Sequence, residues 1–88
     1  MKITIEELQE YLFDHYKNGG IDQSLFMKLV EEIGEVAEVL NKKAGRKSVG
    51  QEDLQTQLGN ELADVVHYTI AIAALNGIDM NDIILSKD

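Results

Sequence analysis

Two closely similar five-residue segments constrain this 88-residue chain more than any other feature of its sequence. They are Glu32-Ile33-Gly34-Glu35-Val36 and Glu61-Leu62-Ala63-Asp64-Val65, and each places two carboxylates three residues apart beside apolar residues. On an α-helix, such carboxylates lie about 60° apart around the axis and one turn apart along it. Two helices packed against each other can therefore direct four carboxylates toward one point, where their mutual repulsion favours a bound divalent cation.

Apolar residues recur with helical periodicity along a chain that contains no proline, which predicts an all-α fold. Helix one is predicted to begin at Thr4, because Thr4-Ile5-Glu6-Glu7 is typical of a capping box, and to end at Asn18-Gly19-Gly20. Helix two is predicted to begin with Asp22 or Ser24 as its N-cap and to end at Gly45, before a basic loop at 45–50. The predicted inward residues are Ile5, Leu8, Leu12 and Phe13 on helix one, and Phe26, Leu29, Val30, Ile33, Val36, Ala37 and Leu40 on helix two.

Helix three is predicted to run from near Gln51 to Asn76-Gly77, and a short fourth helix, capped by Asp79, follows it. Beyond Leu62, helix three is apolar on nearly every side, and such a helix is buried on every side. We therefore expect a bundle of three main helices and a short C-terminal helix, completed by oligomerisation into four-helix-bundle-like packing in a homodimer or homotetramer. The predicted stripe of helix three is Leu54, Leu58, Leu62, Val65, Val66, Thr69 and Ala73, and helix four contributes Met80, Ile83 and Ile84.

The length corresponds to one domain, residues 1–88, whose own core is marginal. The formal net charge of −8 argues against binding to a nucleic-acid polymer, which requires a basic surface. The N-terminal residues lead into a charged helix rather than the apolar segment of a signal peptide, and the longest apolar run, at 65–75, is too short to span a bilayer. We expect a cytoplasmic protein without a membrane partner.

The four carboxylates have the same predicted relation to the core in both segments. Glu32 and Glu35 lie roughly 100° and 160° from the stripe centre at Ile33, and Glu61 and Asp64 relate to Leu62 in the same way. All four are thus predicted on one flank of their stripes, where antiparallel packing brings the flanks together. For any single glutamate of so acidic a chain, solvated surface is the simpler explanation, but the duplication favours a metal site.

Oxygen-only ligands in a chain without cysteine favour Mg²⁺, or Mn²⁺, over zinc and copper. A di-iron carboxylate bundle would show Glu-x-x-His on two helices, whereas this chain has only Asp64-x-x-His67. His67 is either an additional member of the site or a packing residue. Gly34 and Gly59 interrupt otherwise good helices, which indicates either tight helix packing or close approach of a ligand.

The pattern Glu31-Glu32-x-x-Glu35, a spacer of twenty-five residues, and Glu61-x-x-Asp64 resembles the MazG-type all-α nucleoside triphosphate pyrophosphohydrolases. The resemblance extends over nearly the whole chain and includes the run at 29–38 and the closing Gly77-Ile78-Asp79-Met80. It implies Mg²⁺-dependent hydrolysis of a nucleoside triphosphate to its monophosphate and pyrophosphate, as in the removal of unwanted nucleotides. It also implies that the metal ligands are Glu32, Glu35, Glu61 and Asp64.

The same resemblance implies that Tyr68 and Lys87 contact the nucleotide, while Tyr16 is a candidate to stack on the base because the chain has no tryptophan. Glu35 and Glu31 are the two candidates to orient the water that would attack the α-phosphorus, and the sequence does not choose between them. Lys42, Lys43, Arg46 and Lys47 are candidates to bind the outer phosphates or, for the first of them, to complement the dipole of helix two. The alternatives are a phosphoribosyl-ATP pyrophosphatase and a non-catalytic helical module that dimerises or binds nucleotide.

Overall fold

The computed structural model describes residues 1–45 and 53–87, which form four α-helices. The all-α prediction is confirmed. The predicted basic loop after Gly45 and the predicted helix start at Gln51 lie outside the described residues. The helices are α1 (Ile5–Tyr16), α2 (Asp22–Lys43), α3 (Leu54–Leu75) and α4 (Met80–Ser86).

The ends of α1 are determined by local sequence, as predicted. The Thr4 hydroxyl accepts a hydrogen bond from the Glu7 backbone N–H at 3.1 Å, and the Glu7 carboxylate accepts one from the Thr4 N–H at 2.8 Å. This capping box also holds the pKa of Glu7 below its ordinary value, because the ionised carboxylate accepts the Thr4 backbone N–H. Leu12 is fully buried, but the prediction for Phe13 was wrong: it lies about 100° around the helix and is 45% exposed.

The start of α2 differs from the prediction, because neither Asp22 nor Ser24 caps it. The helix begins at Asp22, its N-cap residue is Ile21, and no side chain accepts a capping hydrogen bond there. Asp22 instead accepts a hydrogen bond from the Asn76 side chain at the end of α3, at 3.1 Å. A tertiary contact has therefore replaced the local capping that the sequence suggested.

Helices α2 and α3 pack antiparallel. Asn76 bonds Asp22 at one end of the pair, and Lys43 donates to the Gln55 side chain at 2.8 Å at the other. Helix α3 begins at Leu54, where the Asp53 carboxylate caps it by accepting the Thr56 N–H at 3.0 Å. It ends at Leu75, before the left-handed Gly77 (φ +67°), as the sequence predicted.

The face of α2 that packs on α3 contains only two of the seven predicted inward residues, Leu29 and Val36, which are half-buried. Phe26, Val30, Ile33 and Leu40 are 44% to 55% exposed, and Ala37 is also exposed. Helix α2 carries two stripes with the same alternating spacing of four and three residues, and the prediction merged them. The inner stripe, buried or half-buried, is Leu25, Leu29, Glu32, Val36 and Val39; the outer stripe is Phe26, Val30, Ile33, Ala37 and Leu40.

The apolar C-terminal part of α3 is covered in part by the chain itself. Ile70 and Ala71 form a core cluster with Leu12 of α1 and Leu25 of α2. The predicted stripe residues Leu62 and Val66 are instead 47% and 50% exposed. The core cluster thus covers part of this end within the subunit, whereas Leu62 and Val66 leave an apolar face exposed. Completion of the bundle by a second subunit stays a prediction. Within 1–45 and 53–87, no helix is long and apolar enough to cross a membrane.

The capping difference between α1 and α2 gives the first prediction. Thr4→Ala removes the side-chain acceptor of the capping box and should lower the free energy of unfolding by about 1 kcal/mol. Ser24→Ala is the matched control, because Ser24 caps nothing in the structure, and it should change stability by less than about 0.5 kcal/mol. Urea unfolding followed by circular dichroism measures both, and equal losses would contradict the capping assignment.

Candidate metal centre

Three carboxylates from α2 and α3 converge between the two helices. One carboxylate oxygen from each of Glu32, Glu61 and Asp64 lies within 4.8 Å of the others. Glu32 and Glu61 are half-buried, and Asp64 is exposed. The fourth predicted carboxylate, Glu35, is exposed and lies outside this group, but it is close enough to Glu61 to raise the pKa of that residue. We name these four residues the acidic cluster.

The cluster forms because Glu32 and Glu61 lie on the faces of α2 and α3 that pack against each other, rather than beside those faces. Glu32 follows Leu25 and Leu29 along α2, and its stripe faces α3. Glu61 continues the stripe of Leu54 and Leu58 in the same way. The predicted position on one flank was therefore wrong for both glutamates, since the stripe centres at Ile33 and Leu62 were the exposed ones.

The half-buried glutamates each leave one oxygen unsatisfied. Glu32 Oε2 and Glu61 Oε2 are inaccessible to water and accept no hydrogen bond from any residue that the structure describes. A buried acceptor without a donor costs free energy, and the cost is larger for a charged group. Hard oxygen donors aimed at one another in this way fit a divalent cation such as Mg²⁺ or Mn²⁺, which binds carboxylate oxygen.

Close side-chain contacts and burial shift the pKa values of two carboxyl groups in the cluster upward. Close side-chain contact with Glu35 and with Glu32, together with burial, raises the pKa of Glu61 to about 7. The side-chain contact with Glu61 tends to lower the pKa of Glu32, but burial and the charges of Glu35 and Asp64 outweigh it and raise that pKa overall. A cation at this position would favour the ionised forms and reverse these shifts.

The second acidic candidate for orienting water, Glu31, lies apart from the cluster. It is exposed and pairs with Lys28 at 3.5 Å. An added Cβ at either helix-interrupting glycine, Gly34 or Gly59, would meet nothing within 4 Å, so tight packing within the described chain does not explain them. Close approach of a ligand stays a prediction.

The two candidate tyrosines lie together. Tyr16 and Tyr68 are half-buried and line a hollow of about 260 Å³ at the junction of α1, α2 and α3. We name it the tyrosine hollow; its other lining residues include Gly20, Ser24, Leu25 and Lys28. Lys28 precedes Glu32 by one turn of α2, and Tyr68 follows Asp64 by one turn of α3, so the hollow adjoins the cluster along both helices.

The basic candidates are more dispersed. Lys87 is the exposed C-cap of α4, one turn after Ile84, which lines a separate apolar hollow with Val65 and Val66. Lys43 donates to Gln55, while Arg46 and Lys47 lie outside the described residues. Lys28, which lines the tyrosine hollow, was not among the candidates predicted from the sequence, although its position one turn before Glu32 could have indicated it.

His67 has a partner that no local pattern reveals. Its Nε2 atom lies 2.7 Å from the Tyr16 hydroxyl, in a hydrogen bond between residues fifty-one positions apart. The structure thus gives His67 a contact with α1 rather than a place among the three converging carboxylates.

A known protein family matches most of the chain. The sequence model of the MazG nucleotide pyrophosphohydrolase domain family matches residues 21–87 of the chain. The chain belongs to the MazG nucleotide pyrophosphohydrolase family. The match includes all four acidic residues and begins at Ile21, so that α1 and Tyr16 precede it. A search of curated proteins finds no match to the chain.

The raised pKa of Glu61 makes the stability of this MazG domain depend on pH. Between the ordinary value of 4.5 and the folded value of about 7, the folded state binds more protons than the unfolded state. Stability in EDTA should therefore fall as pH rises through this interval, by linkage. We expect melting temperatures measured in EDTA to decrease across it, and Mg²⁺ to reduce the decrease because it stabilises the ionised cluster.

Two variants isolate the contribution of the cluster to this pH dependence. Glu61→Gln should flatten the profile, since the amide does not titrate in this range. Glu10→Gln, at an exposed position on α1, should retain the wild-type slope and controls for the change in net charge. Parallel profiles for all three proteins would contradict the assignment.

Proposed function

We propose that this protein is a divalent-metal-dependent nucleoside triphosphate pyrophosphohydrolase, which converts a ribo- or deoxyribonucleoside triphosphate and water to the monophosphate and pyrophosphate. The main support is the convergence of Glu32, Glu61 and Asp64 with two buried, unsatisfied oxygens, in a family whose members depend on divalent metal. Mg²⁺ is the proposed ion and Mn²⁺ the substitute. Removal of non-standard or surplus nucleotides is the proposed role.

The acidic residues have two proposed tasks. Glu32, Glu61, Asp64 and Glu35 hold the cation, which when bound offsets negative charge on the triphosphate oxygens. Glu35 also orients the water and accepts its proton, because it is exposed beside Glu61 whereas Glu31 is paired with Lys28. The water oxygen bonds the α-phosphorus as the bond to the bridging oxygen breaks, and pyrophosphate leaves.

The substrate is proposed to lie along the groove between α2 and α3. With the triphosphate at the acidic cluster, the base extends one helical turn to the tyrosine hollow, where Tyr16 and Tyr68 offer aromatic contacts. Lys28 is in the same hollow and provides a positive charge. Lys87 is proposed to contact the outer phosphates as a point charge.

Pyrophosphate release from a panel of canonical and modified nucleoside triphosphates, with Mg²⁺, Mn²⁺ or EDTA, tests this function. Wild-type protein should release pyrophosphate only with a divalent ion. Asp64→Asn and Glu35→Gln should each lower kcat/KM by at least about 100-fold, since even residues that only support a metal ligand are worth 10- to 100-fold. Glu10→Gln should retain activity.

The panel also distinguishes the alternatives. Hydrolysis of phosphoribosyl-ATP in preference to the triphosphates would assign the enzyme to histidine biosynthesis instead. Thermal stabilisation by nucleotide without pyrophosphate release would indicate a binding module. Full activity in Asp64→Asn or in EDTA would disprove the proposed metal centre.

The outer stripe of α2 supports a homo-oligomer, most simply a dimer. Its alternating spacing of four and three residues is that of a helix–helix seam, and four of its apolar side chains are about half exposed. Leu62 and Val66 extend an exposed apolar face onto α3. Pairing the α2–α3 hairpins of two subunits through these faces would produce a four-helix bundle.

Sedimentation equilibrium of a charged variant tests this assembly. Ile33→Glu places a charge in the middle of the outer stripe and should convert the oligomer to monomers. Leu85→Glu is the matched control, because Leu85 on α4 is 67% exposed and lies off the stripe, and it should leave the oligomer intact. A monomeric wild-type protein, or an Ile33→Glu variant that associates normally, would contradict the proposed interface.

A further inference from the structure

Tyr16 connects the aromatic wall of the tyrosine hollow to the glycine turn beside it. Its ring lines the hollow, and its backbone carbonyl accepts hydrogen bonds from the Gly19 and Gly20 N–H groups at 3.1 and 2.6 Å. The turn approaches so closely that a Cβ added at Gly20 would lie 2.8 Å from Tyr16 Cβ and from Leu75 Cδ1. The position of Tyr16 therefore influences both the aromatic wall of the hollow and the turn beside it.

His67 holds the other end of the Tyr16 side chain. The two side chains are half-buried and share the 2.7 Å hydrogen bond, and their rings meet edge to face with centroids 5.7 Å apart. His67 also contacts Tyr68 edge to face, with centroids 4.8 Å apart. A single residue thus touches both tyrosines, on the helix that carries Glu61 and Asp64.

We propose that His67 is a positioning residue, which acts through Tyr16 to hold the wall of the tyrosine hollow in place for the nucleoside part of the substrate. The inference rests on the proposed function and adds a residue whose effect is on substrate affinity rather than on the chemical step. In the tautomer with its proton on Nδ1, His67 accepts a hydrogen bond from the Tyr16 hydroxyl at Nε2. Burial raises the pKa of Tyr16 above its ordinary value, which favours the protonated hydroxyl as the donor.

The physical effect is preorganisation. Without the hydrogen bond, the Tyr16 ring gains rotamer freedom, and binding a base must then order it again. A hydrogen bond of this kind contributes about 0.5–1.5 kcal/mol net, which corresponds to roughly a 2- to 12-fold change in affinity. The carboxylates lie outside this contact, so kcat and the Mg²⁺ concentration for half-maximal rate should stay near wild-type values.

Four variants test the proposal in the full-length protein, with the best nucleotide from the panel. Tyr16→Phe removes the hydroxyl and keeps the ring, while His67→Leu removes the acceptor and keeps most of the volume. Each should raise KM by roughly 2- to 12-fold and leave kcat within about 2-fold. His67→Gln offers a replacement acceptor and should recover most of the affinity. The double variant Tyr16→Phe/His67→Leu should have a KM no higher than that of the single variant with the higher KM, because both changes remove the same hydrogen bond.

A second measurement separates this proposal from the function on which it rests. Thermal stabilisation by nucleotide and Mg²⁺ should follow the same order as KM across the variants. An active wild-type protein with unchanged KM in Tyr16→Phe and His67→Leu would overturn the positioning role alone. A lower kcat with altered Mg²⁺ dependence would overturn it as well, by placing His67 at the metal centre. A wild-type protein that neither hydrolyses nor binds any nucleotide would overturn both proposals.

Discussion

The half-buried convergence of Glu32 and Glu61 is the interaction on which the rest of this molecule depends. Both residues occupy positions of the α2–α3 contact where an apolar side chain would ordinarily lie, and each leaves a buried oxygen without a donor. Such an arrangement opposes folding unless a cation binds or a proton is taken up. The raised pKa values of both glutamates are consistent with this, because the ionised forms are disfavoured at these positions.

The surrounding structure keeps the helices together despite that repulsion. The inner stripe continues through apolar residues on both sides of Glu32, and polar contacts join α2 and α3 at each end of the pair. The carboxylates are thus presented by two long helices, 22 residues each, rather than by loops. Elements of this kind hold a site more precisely than loops do, which suits the proposed centre, where a cation and a phosphate would bind together.

Helix α1 contributes to the second candidate region of the molecule, the tyrosine hollow. It precedes the part of the chain that matches the family model, yet it supplies Tyr16 to the tyrosine hollow and Leu12 to the core. One element thereby contributes to stability and to the proposed recognition of substrate. The acidic cluster is proposed to supply the chemistry of the family, whereas the hollow is where differences in nucleotide preference would arise.

The sequence by itself predicted those features that depend on interactions between residues close together in the chain, chiefly the ends of the helices. Helix ends depend on hydrogen bonds or backbone torsions that span about one helical turn. The capping box at Thr4, the cap at Asp79 and the stop at Gly77 were predicted from the sequence, whereas the cap at Asp53 was not. The three-residue spacing of the carboxylates likewise indicated a shared site before any fold was known. The structure brings together three of the four predicted residues, Glu32, Glu61 and Asp64, and leaves Glu35 outside this group.

Only the tertiary structure decided which faces meet. Helix α2 has two stripes of equal periodicity, and its sequence does not distinguish the one that packs on α3 from the one left exposed, so Glu32 was expected beside the contact rather than within it. The hydrogen bond between Tyr16 and His67 joins residues fifty-one positions apart, and no local pattern encodes such a contact. Periodicity defines the angle between residues on one helix, whereas packing depends on the complementary shape of a second helix, which lies elsewhere in the chain.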